Sequence, residues 1–303
     1  MDVERGLELI GKATYTELTE QCRHASVAIV LRKIQGTYEM LLIKRAMRKS
    51  DRWSGHVALP GGKRDPEDIS DRDVAERETL EELGLDLKQY CEYIGALQPQ
   101  RVVSSTASKP LMLLYPFVYL MTTPTDVRPS ADEVAMSFWV PLTILIDLSA
   151  RKDLRVSLTV RMKVSKWIKP LLHLLTGDMI FETVDVTSCA VDITYPIGQP
   201  ASVDPLDLNL WGLTLYVLLG MLDFMAPRSI GSSTYLLPRL SHWDMRLVQL
   251  MRIRFRSPNI NDAYPNLSQS EALEKCIFSI RSCANIAQCG RLAVILLIYA
   301  LRK

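Results

Sequence analysis

The 303-residue chain has no C-x-x-C pair; its six cysteines, Cys22, Cys91, Cys189, Cys276, Cys283 and Cys289, are scattered. Reduced thiols are expected, and neither a disulfide framework nor a thiolate zinc site is. The four histidines, His24, His56, His173 and His242, share no metal-ligand spacing, which argues against a zinc enzyme. No apolar run reaches the ~20 residues that a membrane-spanning helix needs. The longest charge-free stretches, Leu210–Leu222 and Leu292–Leu301, read as buried core helices. A net charge of only +2 gives no strong field toward nucleic acid or a lipid surface, so a phosphate-bearing ligand has to be held by local groups. The opening "MDVERGLELIGKA" carries acids early and lacks the pattern of a signal or transit peptide, and the closing "ALRK" is not a peroxisomal signal. A cytoplasmic location is the default expectation. Internal repeats and low-complexity segments are absent.

What is there is a globular composition, 48% apolar and 23% charged. A short helix is expected over 6–22. "HASVAIVLRK" (24–33) and "YEMLLIKRA" (38–46) read as a hairpin across Gln35-Gly36-Thr37. A loop follows over 47–62, with an extended piece at Val57–Leu59. A helix then starts near Ser70, with an S-x-x-D signal to Asp73, and stops at Leu83 before Gly84. Strands are expected at 91–98, 111–121 and 132–142, with Pro116 implying an edge or a bulge, and a helix after Pro141. Beyond them lie a helix near 161–175, short strands in 181–197, and a buried helix at 208–225. A basic amphipathic piece, 245–256, precedes further apolar helices. Strands and helices interleave through residue 145, the order of a mixed sheet covered by helices.

One stretch concentrates chemistry: "GGKRDPEDISDRDVAERETLEELGL", Gly61 to Leu85. On a helix, Glu78, Glu81 and Glu82 project over about one turn. Like charges at that spacing cost roughly 0.2–0.5 kcal/mol per pair even when exposed, and the helix C-terminus disfavours anions. Arg77 supplies one cation whose planar fork suits a carboxylate. One arginine does not neutralise three acids, whereas a hard divalent ion with oxygen ligands, Mg²⁺ or Mn²⁺, does. The preceding Gly61-Gly62 pair lets backbone approach such a site closely.

The pattern Gly62-x5-Asp68-x8-Arg77-Glu78-Thr79-Leu80-Glu81-Glu82-Leu83-Gly84-Leu85 resembles the Nudix box, G-x5-E-x7-R-E-U-x-E-E-x-G-U with U aliphatic. It departs by Asp68 for the first glutamate, one extra residue before Arg77, and Thr79 at an aliphatic position. The first two departures are familiar in the coenzyme A branch of that family. Upstream, "LLIKRAMRKSDRWSGHVALPGG" (41–62) is similar to that branch's signature, matching at Leu41, Leu42, Arg45, Ala46, Gly55, Pro60, Gly61 and Gly62. Ile43 and Leu59 depart from it, one residue is inserted before Gly55, and the second arginine is displaced to Arg48 or Arg52. "LNLWGLTLYVLL" (208–219) resembles the branch's late helix.

The resemblance implies an α+β fold, an α/β/α sandwich around a mixed sheet, over residues 1–225 (best matched at 24–145 and 208–225). Residues 226–303 match nothing in it and read by their residues as a mostly helical extension. It implies a nucleotide-containing small-molecule substrate, and the near-neutral charge gives no clear nucleic-acid partner. Glu78, Glu81 and Glu82 would hold Mg²⁺ or Mn²⁺ with the Gly62 carbonyl, while Arg77 fixes their geometry. The base that orients the attacking water is either Glu82 or Glu133, the latter in "SADEVAMSFWVPL" and equally readable as a loop charge. Arg45, Arg48, Arg52 and Gly61 would face the substrate's phosphates, the arginines being equally readable as solvated loop cations. The implied reaction is cleavage of a pyrophosphate bond in a nucleoside diphosphate derivative, coenzyme A or acyl-coenzyme A foremost. Alternatives are an ADP-ribose or dinucleotide pyrophosphatase and, in another class, a catalytically idle module that binds a nucleotide or a protein.

Overall fold

A computed structural model describes residues 1–15, 18, 20, 22–48, 53–103, 110–157, 169–170, 173, 178–198, 207–226 and 239–240. The chain forms two compact units. The first comprises Met1–Ser104, Ser108–Lys152 and Glu182–Leu236; the second comprises Ser105–Ala107, Asp153–Phe181 and Leu237–Lys303. The extension expected over 226–303 lies outside the described residues apart from 226 and 239–240. So do the basic piece at 245–256, Arg52, and most of the helix expected near 161–175.

The first unit opens with α1 (Val3–Lys12), capped by Asp2, whose side chain accepts from the Arg5 N–H at 3.1 Å. β1 (Arg23–Ile34) and β2 (Thr37–Arg45) form the expected hairpin. Gln35 and Gly36 both take positive φ, 47° and 83°, the twist that a two-residue hairpin turn requires. Next come β3 (Val57–Ala58), β4 (Gly61–Lys63), α2 (Asp71–Leu83), α3 (Leu87–Tyr90), β5 (Cys91–Ala96), β6 (Gln100–Val103), β7 (Pro110–Met121) and β8 (Val134–Pro141). A nine-stranded mixed sheet has the order β11-β8-β2-β1-β7-β5, where β11 is Val191–Thr194. β3 joins at β2, β4 at β1 and β6 at β7; β1 and β7 run parallel.

β9 (Arg151–Ser157) and β10 (Asp178–Asp185) follow β8 along the chain. In the first unit, Val184 and Asp185 pair with Leu210 and Asn209 of β12 (Asn209–Leu210). In the second, Met179 and Ile180 pair with Leu240 and Arg239 of β13 (Arg239–Leu240). The last described helix is α4 (Gly212–Leu222).

Period-two alternation along β1 and β2 puts apolar side chains on both faces of the main sheet. Ile29, Leu31, Met40 and Leu42 share one core with Val3, Leu7 and Ile10 of α1 and Leu215 and Leu218 of α4. Ala28, Val30, Leu41 and Ile43 share the other with Ala75 and Leu83 of α2 and Leu87 of α3. Helices thus cover both faces, as expected for an α/β/α sandwich.

Four local expectations are corrected. The helix expected over 6–22 runs Val3–Lys12 and stops at Ala13, whose backbone is extended. Pro116 lies in a central strand and not at an edge, because the flank opposite it changes from β5 to β6. β5 pairs with 117–121 and β6 with 110–114, so the missing N–H falls in the gap, while the Pro116 carbonyl accepts from the Leu97 N–H at 3.0 Å. The helix expected after Pro141 is a single tight 3-10 turn, Leu142–Ile146. The helix at 208–225 loses its start to β12, since Asn209 and Leu210 are taken up in pairing with β10.

Candidate active site

α2 is locally over-determined. Ser70 Oγ accepts from the Asp73 N–H at 3.2 Å, and Asp73 Oδ2 accepts from the Ser70 N–H at 3.0 Å, a complete capping box. At the other end Gly84 is left-handed at φ 61° and its N–H reaches the Leu80 carbonyl at 2.8 Å. Thr79 is buried, and its hydroxyl donates to the Ala75 carbonyl at 2.7 Å, so a polar residue at the aliphatic position leaves no unmet hydrogen bond.

The helix lies on β4, and there the glycines leave it room. A Cβ on Gly62 would fall 2.2 Å from the Glu78 carboxyl carbon, and one on Gly61 would fall 2.2 Å from the Ser26 carbonyl oxygen. The Gly61 N–H donates to Glu82 Oε2 at 2.9 Å. Two box carboxylates therefore rest directly on a side-chain-free strip of backbone.

The three box glutamates meet different surroundings. The Glu82 side chain is 2% exposed, with Arg45 Nη1 at 3.7 Å from Oε1. Burial pushes its pKa up to about 8; the Gly61 N–H and Arg45 pull it down, and Glu78 and Glu133 push it further up. Glu78 is also raised, again by burial first, with Arg77 opposing. Glu81 is half-exposed and bonds to Arg77 Nη1 at 3.0 Å.

Arg77 is the hub. Its Nε and Nη2 donate to the two carboxylate oxygens of Asp68 at 2.9 and 3.0 Å, and Nη2 also donates to the Lys63 carbonyl at 3.1 Å. Its Nη1 lies 3.2 Å from Glu78 and 3.0 Å from Glu81. This bidentate pairing holds Asp68 below the usual carboxylate range and raises Arg77, so the guanidinium stays charged.

The turn before β8 closes over the end of α2. Arg128 N–H donates to the Leu83 carbonyl at 2.7 Å and Ser130 N–H to the Glu82 carbonyl at 2.8 Å. That docking carries Glu133 close enough to raise both Glu78 and Glu82. Arg48 Nη1 lies 3.5 Å from Glu133, and its Nη2 donates to the Asp132 carbonyl.

Of the residues singled out in the sequence, Gly61, Gly62, Arg77, Glu78, Glu81, Glu82, Glu133, Arg45 and Arg48 are thus brought to one end of α2. Arg45 is engaged with Glu82 and Arg48 with the 132–133 turn. Among the described residues, no three His, Cys, Asp or Glu side chains converge as a ready metal-binding group. Arg77 sits against both Glu78 and Glu81.

The donors nonetheless fit a hard divalent ion. They are all oxygen, and two, the buried Glu82 and the half-buried Glu78, are carboxylates whose charge the neighbouring cations only partly offset. Sequence reasoning passed over Asp68 as the anchor of Arg77. It also missed Glu76, a buried acid that accepts from Arg72 at 2.8 Å and Tyr119 at 3.1 Å beside Lys88 at 3.1 Å. The Arg72–Glu76 spacing of four was a readable signal for the latter.

The NUDIX domain pattern matches residues 23–158. An uncharacterized protein of Schizosaccharomyces pombe is 32% identical over 75% of this chain and 68% of its own length. The mitochondrial coenzyme A diphosphatase NUDT8 of Mus musculus is 31% identical over 48% of this chain and 66% of its own. The uncharacterized Nudix hydrolase NudL of Photorhabdus laumondii is 33% identical over 46% of this chain and 70% of its own. Matches at this level, over a mixed sheet with the box on its helix, place the chain in the Nudix family of hydrolases.

Proposed function

We propose that this protein is a divalent-cation-dependent pyrophosphohydrolase that acts on coenzyme A or acyl-coenzyme A, releasing 3′,5′-ADP and a 4′-phosphopantetheine product. The reading is carried by one observation: a buried Glu82 and a half-buried Glu78 both rest against the bare Gly61-Gly62 backbone. The upstream resemblance at 41–62 and the likeness to a coenzyme A diphosphatase support the choice of substrate.

Glu78, Glu81, Glu82 and the Gly62 carbonyl are the groups that would hold Mg²⁺ or Mn²⁺. A divalent cation so held supplies charge for the diphosphate oxygens and acidifies water. Arg77, locked by Asp68 and Lys63, fixes where Glu78 and Glu81 sit, so little reorganisation is left for the moment of reaction. Glu82 in its ionised form, or Glu133, takes the proton from the attacking water. Arg45, 3.7 Å from Glu82, would offset part of the negative charge there when a diphosphate enters.

The test is a panel of coenzyme A, acetyl-coenzyme A, ADP-ribose, NADH and capped RNA, each incubated with the full chain and Mg²⁺ or Mn²⁺, with products resolved by chromatography. Release of 3′,5′-ADP from the coenzyme A substrates is expected. Turnover of ADP-ribose or NADH alone would move the assignment to that class of pyrophosphatase, and no turnover with any of them would favour a binding module.

A further inference from the structure

Arg48 looks from sequence like a phosphate contact, yet its guanidinium is already committed. Nη1 faces the Glu133 carboxylate at 3.5 Å while Nη2 donates to the neighbouring Asp132 carbonyl. The backbone on both sides is pinned as well. Arg48 N–H donates to Ser54 Oγ at 2.7 Å, Ser54 Oγ donates to the Ala46 carbonyl at 3.3 Å, and Ala46 N–H donates to the Glu133 carbonyl at 2.9 Å. The turn that carries Glu133 is held from its other side by α2, through the Ser130 N–H to the Glu82 carbonyl, and closes on itself through Glu133 and Val134 N–H to the Ser130 carbonyl.

Both side chains are partly exposed, 44% and 41%. A pair of that kind contributes almost nothing to stability. It does fix position: held against the Arg48 guanidinium, the Glu133 carboxylate keeps one rotamer despite repulsion from Glu78 and Glu82, whereas an unpaired exposed glutamate samples rotamers that point to water.

We propose that Arg48 is a positioning residue which clamps the Asp132–Glu133 corner and aims the Glu133 carboxylate at the box, acting on the reaction through Glu133 and not on the substrate. This deepens, and for its kinetic part rests on, the hydrolase reading above.

The experiment uses the full chain as wild type, R48A, R48K, E133Q and the R48A/E133Q double variant, with two readouts. In steady-state kinetics with coenzyme A and Mg²⁺, E133Q is expected to lower kcat about 100-fold. R48A is expected to lower kcat at least about tenfold through misplacement, with KM within about twofold of wild type. R48K is expected to recover most of the loss, and the double variant to be no slower than E133Q by more than about twofold. Without substrate, R48A should speed amide hydrogen exchange at Ala46, Glu133 and Val134, with a melting temperature within about 2 °C of wild type.

A raised KM with kcat kept in R48A would make Arg48 a substrate contact and overturn the proposal. So would unchanged exchange at those three amides. If the wild type turns over no substrate, the hydrolase reading fails while the exchange readout still decides the clamp. Should R48A not fold, R48Q takes its place in both measurements.

Discussion

A single methyl group separates the box from a blocked site. At Gly62 a Cβ would lie 2.2 to 2.4 Å from all three carboxyl atoms of Glu78. The clash is with the far end of a flexible side chain, so Glu78 can swing aside, and in doing so it leaves its place against the strand. G62A should therefore fold, with Tm lowered by a few degrees, and lose activity by about 100-fold or more, as displacement of a catalytic group by about 1 Å does. Steady-state kinetics beside a melting curve checks both halves. E81Q and E82Q should each abolish turnover with the fold kept by circular dichroism, by different routes. Glu81 is half-exposed and shared with Arg77, whereas Glu82 is buried on the Gly61 N–H. At this scale the acids were legible because their adjacency on a helix is local. The engagement of Arg45 with Glu82, 37 positions later, is created by the sheet and left no trace in spacing. The commitment of Arg48 to 132–133 was hidden for the same reason.

α2 shows how much of an element local sequence can specify. Ser70, Asp73 and Gly84 mark its start and stop, and the helix runs Asp71–Leu83 as those residues require. Removing the cap tests the claim: S70A should cost about 0.5–2 kcal/mol, read as a lower Tm or urea midpoint. It also predicts a pH effect. The Ser70 hydroxyl, first among its partners, holds Asp73 below its ordinary pKa, so the cap contributes fully above the unfolded value near 3.8 and is lost as pH falls through the lower folded value. The stability gap between wild type and S70A should therefore narrow in acid below about pH 4; a gap that widens there would refute this account of the cap. Elements without such local marks were less legible. Pro116 suggested an edge or a bulge, and the handover from β5 to β6 explains its central place. Residues 208–211 share the apolar character of α4, but pairing with β10 draws Asn209 and Leu210 into a strand. Tertiary partners overrode propensity in both cases.

Over the whole molecule, the buried box must leave its mark on stability. Glu82 has an ordinary carboxylate pKa when the chain is unfolded, 4.5, and about 8 when folded and cation-free. Between those values the folded state holds a proton that the unfolded state has released. Stability therefore falls as pH rises from about 4.5 to 8, the reverse of the trend for a carboxylate held in a salt bridge. A divalent cation bound by the folded chain alone acts oppositely, because it takes the place of that proton, and at 100 times its dissociation constant it adds about 2.7 kcal/mol. Thermal melts across pH 5 to 8.5 in a chelator should thus slope downward on the alkaline side, and adding Mn²⁺ should lift the curve most at the high-pH end. E82Q keeps an acceptor for the Gly61 N–H but has no proton to lose, so its chelator curve should be flatter and its response to Mn²⁺ smaller. If wild type and E82Q melt in parallel at every pH, with and without the ion, Glu82 carries no buried charge and the box is not the place where the cation is held.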